Sequence, residues 1–123
     1  MEKNVEISLL LSFYKNMLTE RQADTAELYY NEDLSLSEIG TELGISRQGV
    51  RDNLKRAEST LYDVEEKLGL AKRFLGIKSS LSEIDSIISQ IEKSPDSRLL
   101  PDSIKHQIND ILTIVAGITE IEI

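Results

Sequence analysis

Between Ser46 and Arg56 the chain carries four basic residues, Arg47, Arg51, Lys55 and Arg56, against one acid, Asp52. That local balance of +3 stands in a chain whose net charge is −8. Arginine, lysine and glutamine donate to phosphates and to purine edges, and an aspartate accepts from cytosine N4 or orients neighbouring cations. Ser46 and Arg47 fall at an expected helix start, where free backbone N–H groups also favour phosphate. The residues that could touch DNA are therefore Ser46, Arg47, Gln48, Arg51, Asp52, Lys55 and Arg56. Any such contact must be confined to one helix face, because the rest of the chain is acidic and would not coat nucleic acid indiscriminately.

The surrounding residues predict how that face is held. Val50, Leu54 and Ala57 cluster on one side of a helix turning about 100° per residue. The opposite side then holds Gln48, Asp52, Lys55 and Ser59, flanked by Arg51 and Arg56. A shorter helix precedes it, with Ile39 and Leu43 four residues apart and Gly40 between them, so that a second helix can approach closely. Gly44 ends this first helix in a left-handed position, Ile45 fills the corner and Ser46 caps the second helix. The unit is a helix-turn-helix, with Ser37 as the expected cap of its first helix. The same charges would also suit a solvated face on a protein-binding scaffold. Gly49 has two readings, close approach to phosphate or a tolerated first-turn glycine.

The remaining elements are helical by period. A first helix is expected over about Val5 to Leu18, with Val5, Leu9, Phe13 and Met17 forming its inward stripe and Leu10, Tyr14 and Leu18 widening it. Thr19 and Gln22 read as a capping box opening a second helix, whose inward residues are Ala23, Ala26, Leu28, Tyr29 and Tyr30. Asn31 to Asp33 make a turn. The helix starting at Ser46 continues through a seam of Val50, Leu54, Ala57, Leu61, Val64 and Leu68, with Gly69 its first interruption. A further helix covers roughly Ala71 to Lys93, facing inward through Phe74, Ile77, Leu81, Ile84, Ile88 and Ile91. Ser94, Pro95 and Asp96 break it. Pro101 and Asp102 open the last helix, with a seam of Ile104, Ile108, Ile111, Val115 and Ile118. Thr119 to Ile123 alternates polar and apolar residues and has no assignment.

The fold class is thus all-α: a helix-turn-helix head over residues 1–68 and a helical extension over residues 69–123. The 123 residues allow one domain, or a small domain with an oligomerising helix. Apolar seams along residues 50–68, 77–91 and 104–118 exceed what the head can bury, which predicts a homodimer through the C-terminal helices. The absence of cysteine removes disulfides and thiol catalysis and suits the cytosol. Glu2 and Glu6 oppose an export signal, and no apolar run is long enough to span a membrane. His106 is the sole histidine and has no cysteine or second histidine to join in a metal site. No serine, threonine or tyrosine sits in a nucleophile elbow, and the acidic pairs Glu65–Glu66 and Glu32–Asp33 lack a partnering base. The expectation is no enzyme, no cofactor and no metal.

The stretch Leu18-Thr19-Glu20-Arg21-Gln22, then Leu28-Tyr29-Tyr30, Leu36 to Gly40 and Gly44 to Arg56, resembles region 4 of bacterial sigma factors. With the helix in front and Leu61 to Leu68 behind, it more closely resembles the YlxM family of small helix-turn-helix proteins, over about residues 4 to 93. That resemblance implies a cytoplasmic protein binding double-stranded DNA in a regulatory role, with an accessory part in the signal recognition particle (SRP) pathway suggested by gene neighbourhood. Its alternative is a helical adaptor that binds the SRP GTPase or SRP RNA without binding DNA. The extra isoleucine-rich helix beyond Lys93 exceeds the common family length.

Overall fold

Side-chain caps start three of the helices, and left-handed glycines stop two of them. In the computed structural model, which describes residues 1–119, the order is α1 (Lys3–Tyr14), α2 (Glu20–Ala26), α3 (Leu36–Leu43), α4 (Arg47–Leu68), α5 (Leu70–Lys93) and α6 (Asp102–Thr119). A 3₁₀ turn over Lys15–Met17 follows α1, a π turn over Glu27–Asn31 follows α2, and a 3₁₀ turn over Pro95–Leu99 follows α5. No strand occurs among the described residues, so the chain is all-α there. The alternating stretch at the C-terminus falls, from residue 120 on, outside the described residues.

The Thr19 box forms as its spacing predicts: Thr19 Oγ1 accepts from the Gln22 N–H at 3.2 Å, and Gln22 Oε1 accepts from the Thr19 N–H at 3.3 Å. The expected cap at Ser37 is corrected. Ser35 caps α3, accepting from the Glu38 N–H at 3.1 Å, while Glu38 Oε1 accepts from the Ser35 N–H at 3.0 Å. Both Ser35 and Ser37 are hydroxyl residues before an apolar period, but only Ser35 has a glutamate three residues on. Hydrogen bonds from Ser35, its N–H first and its hydroxyl second, hold the Glu38 carboxyl below its ordinary pKa.

The chain divides into two compact units, Met1 to Ala71 and Lys72 onward. In the first, two apolar clusters share α4. Val50 and Leu54 join Ile39 in one, with Leu28, Leu34, Leu36, Leu43 and Ile45 packed around them. Ala57 and Leu61 join Ile7, Leu10, Leu11 and Tyr14 of α1, together with Ala26 and Ala71, in the other. Tyr30 packs against both clusters. Each fully buried Leu or Ile here contributes roughly 1.5–3 kcal/mol relative to exposure.

This packing corrects the phase of the first helix. Ile7, Leu10, Leu11 and Tyr14 are buried, whereas Val5 is 54% and Met17 59% exposed. The helix is apolar on most sides, so its period left the inward direction free and contact with α4 fixed it. The helix also ends at Tyr14 rather than Leu18. The α4 seam is buried within one chain as far as Leu61, with Val64 half-buried; only Leu68, at 53%, is exposed. That part of the seam is therefore not spare surface for a partner.

Gly69, at φ +64, ends α4, and the first amides of α5 find side-chain acceptors. Tyr14 Oη donates to Glu65 Oε1 at 2.5 Å and accepts from the Leu70 N–H at 3.1 Å, while Glu65 Oε1 also accepts from the Ala71 N–H at 3.1 Å. Burial, then the hydrogen bond to Glu65, push the Tyr14 phenol above its ordinary pKa. Tyr14→Phe keeps the ring and removes both bonds, so thermal melts should show a loss of about 1–2 kcal/mol. The unfolded chain releases this proton near pH 10 while the folded chain retains it. Stability should therefore fall as pH rises past about 10, and less so in the variant.

In the second unit, Ser94 caps the turn after α5, accepting from the Asp96 N–H at 3.3 Å. A hollow of about 320 Å³ at this junction is lined by Ile91 and Glu92 of α5, by Ser97, Arg98 and Leu100, and by Lys105, Ile108 and Asn109 of α6. Leu81, Ile88 and Val115 are buried. Of the other members of the expected inward rows, Phe74 and Ile108 are half-buried and Ile77, Ile84, Ile91, Ile104, Ile111 and Ile118 are exposed.

Candidate nucleic-acid interface

The turn between α3 and α4 is set by backbone demands that few residues meet. Gly44 has φ +70 and ψ +34, a left-handed conformation that favours glycine. The Ile45 N–H then donates to the Gly40 carbonyl at 2.9 Å. A Cβ on Gly40 would lie 2.7 Å from the Ile45 carbonyl oxygen, so the glycine admits the turn itself as well as α4, whose Val50 Cγ2 would be 3.7 Å away. From α2, Arg21 Nη1 donates to the Leu43 carbonyl at 3.0 Å, placing a cation at the negative end of α3.

Ser46 caps α4 as its position predicts, accepting from the Gly49 N–H at 3.0 Å. A Cβ on Gly49 would stand 3.3 Å from that hydroxyl oxygen and 3.6 Å from Ile45 Cβ. This favours the structural account of Gly49: the glycine makes room for the capped corner.

Ser46, Arg47, Gln48, Arg51, Asp52, Lys55 and Arg56 are all exposed. None of the four cations is paired with an acid among the described residues. Gln48 Nε2 donates to Asp52 Oδ1 at 3.0 Å. The acid thus engages the neutral amide rather than bridging Arg51 or Lys55, and both guanidinium and ammonium groups stay available.

Sequence reasoning missed a neighbour of this face. A hollow of about 360 Å³ beside α4 is lined by Arg51, Leu54, Lys55 and Glu58, by Tyr29, Tyr30 and Leu36, and by Lys3 and Asn4. Glu58 would place a negative charge at the edge of the cationic face. Instead Lys3 Nζ lies 3.3 Å from its Oε2, and the Tyr30 hydroxyl donates to its Oε1. Burial, then the Glu58 hydrogen bond, raise the Tyr30 pKa well above the ordinary phenol value. Tyr29 and Tyr30 meet edge to face with ring centroids 4.9 Å apart. Nothing in the sequence links residue 3 to residue 58, because the period of α1 does not specify which face meets α4.

No group of three or more His, Cys, Asp or Glu side chains is placed to hold a metal ion among the described residues. No described helix is long and apolar enough to cross a membrane.

Residues 1–98 match the UPF0122 family model, which describes helix-turn-helix proteins like YlxM and p13. A UPF0122 protein of Acetivibrio thermocellus is 49% identical over 94 residues, covering 76% of this chain and 80% of the relative. One from Thermoanaerobacter sp. is 44% identical over 108 residues, covering 85% and 92%. One from Bacillus cereus is 40% identical over 92 residues, covering 75% and 84%. With a left-handed glycine turn, a serine-capped second helix and these relatives, the chain belongs to the UPF0122 family of YlxM/p13-like helix-turn-helix proteins.

Proposed function

We propose that this protein is a DNA-binding regulatory protein that inserts α4 into the major groove. The observation that supports the reading most is the set of four exposed cations on one helix, Arg47, Arg51, Lys55 and Arg56, none with an acidic partner among the described residues. A helix carrying side chains of this reach fits the docking geometry of helix-turn-helix proteins, in which the first residues of the second helix meet base edges. Ser46 retains a hydroxyl proton to donate to phosphate while its oxygen caps α4. In this reading Gln48 and Asp52 present one linked amide–carboxylate pair to the base edges. Lys3 and Tyr30 act as positioning residues that keep the Glu58 charge away from the backbone. The protein works in the cytoplasm, without catalysis, and as a homodimer paired through its C-terminal helices.

Gln48→Ala should chiefly relax preference among duplexes, since a neutral side chain contributes little electrostatic attraction and base discrimination from such a contact is about 1–3 kcal/mol. Binding measured across a randomised duplex library checks this; uniform weakening at every sequence would instead make Gln48 a backbone contact.

A second reading follows from the same free cations, which can engage RNA phosphate as well as DNA. In it the protein is an adaptor of the signal recognition particle, bound to its GTPase or RNA. Titration of duplex DNA and of SRP RNA at physiological salt separates the two: sequence-dependent duplex binding supports regulation, and RNA or GTPase binding without it supports the adaptor.

A further inference from the structure

The second unit leaves six of its isoleucines outside in an ordered pattern. Along α5, Ile77, Ile84 and Ile91 recur every seventh residue, and along α6, Ile104, Ile111 and Ile118 do the same. All six are between 38% and 46% exposed. Counted away from the connecting turn, Ile91 matches Ile104, Ile84 matches Ile111 and Ile77 matches Ile118. The residues one row over, Leu81, Ile88 and Val115, are buried. Each helix therefore spends one apolar row within the chain and leaves the other uncovered. Seven residues rise about 10.5 Å, the step between equivalent layers of a helix bundle. A row this regular is half of a bundle core.

Charge identifies the occupant. Although the chain carries −8 overall, the unit from Lys72 onward contains six basic and eight acidic residues, only −2 of that total. This unit meets its own copy with far less net repulsion than the head, whose residues 1–71 carry −6. On α5 the charges are unevenly placed: Lys72, Arg73 and Lys78 precede Leu81, while Glu83, Asp85 and Glu92 follow it with Lys93 the one cation at the helix end. A parallel copy would set like charges side by side, whereas an antiparallel copy sets each basic half against an acidic half. The exposed stripe also contains Arg73, Ser80 and Ile87, and Ser80 is its small residue, placed midway between Ile77 and Ile84.

We infer that two copies of this chain join through α5 helices crossing antiparallel at Ser80, with both isoleucine rows enclosed in a four-helix bundle. The inference deepens the homodimer reading above and is independent of DNA binding. Its α6 row lies beyond the residues that the family model matches.

The full chain has no cysteine, so single cysteines report the geometry under an added mild oxidant. Ser80→Cys should form a disulfide-linked dimer. Arg73→Cys and Ile87→Cys should each fail to link alone but should link to one another when mixed. Ile84→Lys with Ile111→Lys should weaken association at least about 100-fold in sedimentation equilibrium, with helicity by circular dichroism unchanged because both positions are exposed. Self-linking by Arg73→Cys and Ile87→Cys would mean a parallel pair and would overturn this inference while sparing the dimer. A wild-type chain that sediments as a monomer at micromolar concentration would overturn both.

Discussion

Arg47→Ala, Arg51→Ala and Lys55→Ala combined should lower duplex affinity by about 100-fold or more at physiological salt while leaving the helical content unchanged. All three side chains are exposed and none is paired with an acid among the described residues, so the fold loses little with them. Each phosphate contact removed takes roughly 0.9 from the slope of log affinity against log salt. If all three hold phosphates, the slope should flatten by about 2.7. Lys3→Ala offers a sharper check on the neighbouring hollow. It leaves the Glu58 charge without its ammonium partner at the edge of the face, with only the Tyr30 hydrogen bond on it, and should weaken binding although Lys3 need touch no DNA. Unchanged affinity and slope in the triple variant, measured by fluorescence anisotropy from low to physiological salt, would remove α4 from the interface.

Gly40→Leu should be the most destabilising single change in the head. A Cβ there would stand 2.7 Å from the Ile45 carbonyl oxygen, and that oxygen belongs to the backbone of the turn. The neighbour cannot rotate away, so α3 and the corner must separate. The expected cost is about 3–5 kcal/mol, a fall of roughly 15 °C or more in melting temperature for a unit of this size. Gly44→Val should act by a different route and cost less. Nothing lies within 4 Å of its Cβ, but φ is +70, and a β-branched residue held there is strained by about 1–3 kcal/mol. Gly76→Ala is the control, because it sits in α5 with open space around its Cβ and should gain about 1 kcal/mol. A Gly40→Leu protein that melts like the parent would mean that the corner is not built as described.

The parts legible from sequence were those specified by local chemistry. Gly44, Ser46 and the Thr19 box each depend on residues within four positions, and α4 and its Val50–Leu61 face followed from a clean period. Where two local signals competed, as at Ser35 and Ser37, the reciprocal bond to Glu38 decided between them. The face of α1 was beyond reach because Leu9, Leu10, Leu11 and Phe13 leave several directions equally apolar, and only packing on Ala57 and Leu61 selects Ile7 and Tyr14. The same ignorance hid the link from Lys3 to Glu58. At the candidate interface, residue identity gave the charges, but the Gln48–Asp52 bond depended on rotamers that no spacing rule supplies.

The π turn over Glu27–Asn31 bears on how this segment tolerates changes in length. The Glu32 N–H reaches back five residues to the Glu27 carbonyl at 3.2 Å, where a regular helix would reach four. The turn thus stores one extra residue without breaking the chain's path. Deleting that residue would restore an ordinary helix and swing the following side chains by about 100°, carrying Tyr29 and Tyr30 away from both the hollow and Glu58. In this segment a gap in an alignment is therefore a rotation, and a relative could keep both tyrosines by identity yet point them elsewhere. Residue count, as much as residue type, is the inherited quantity here.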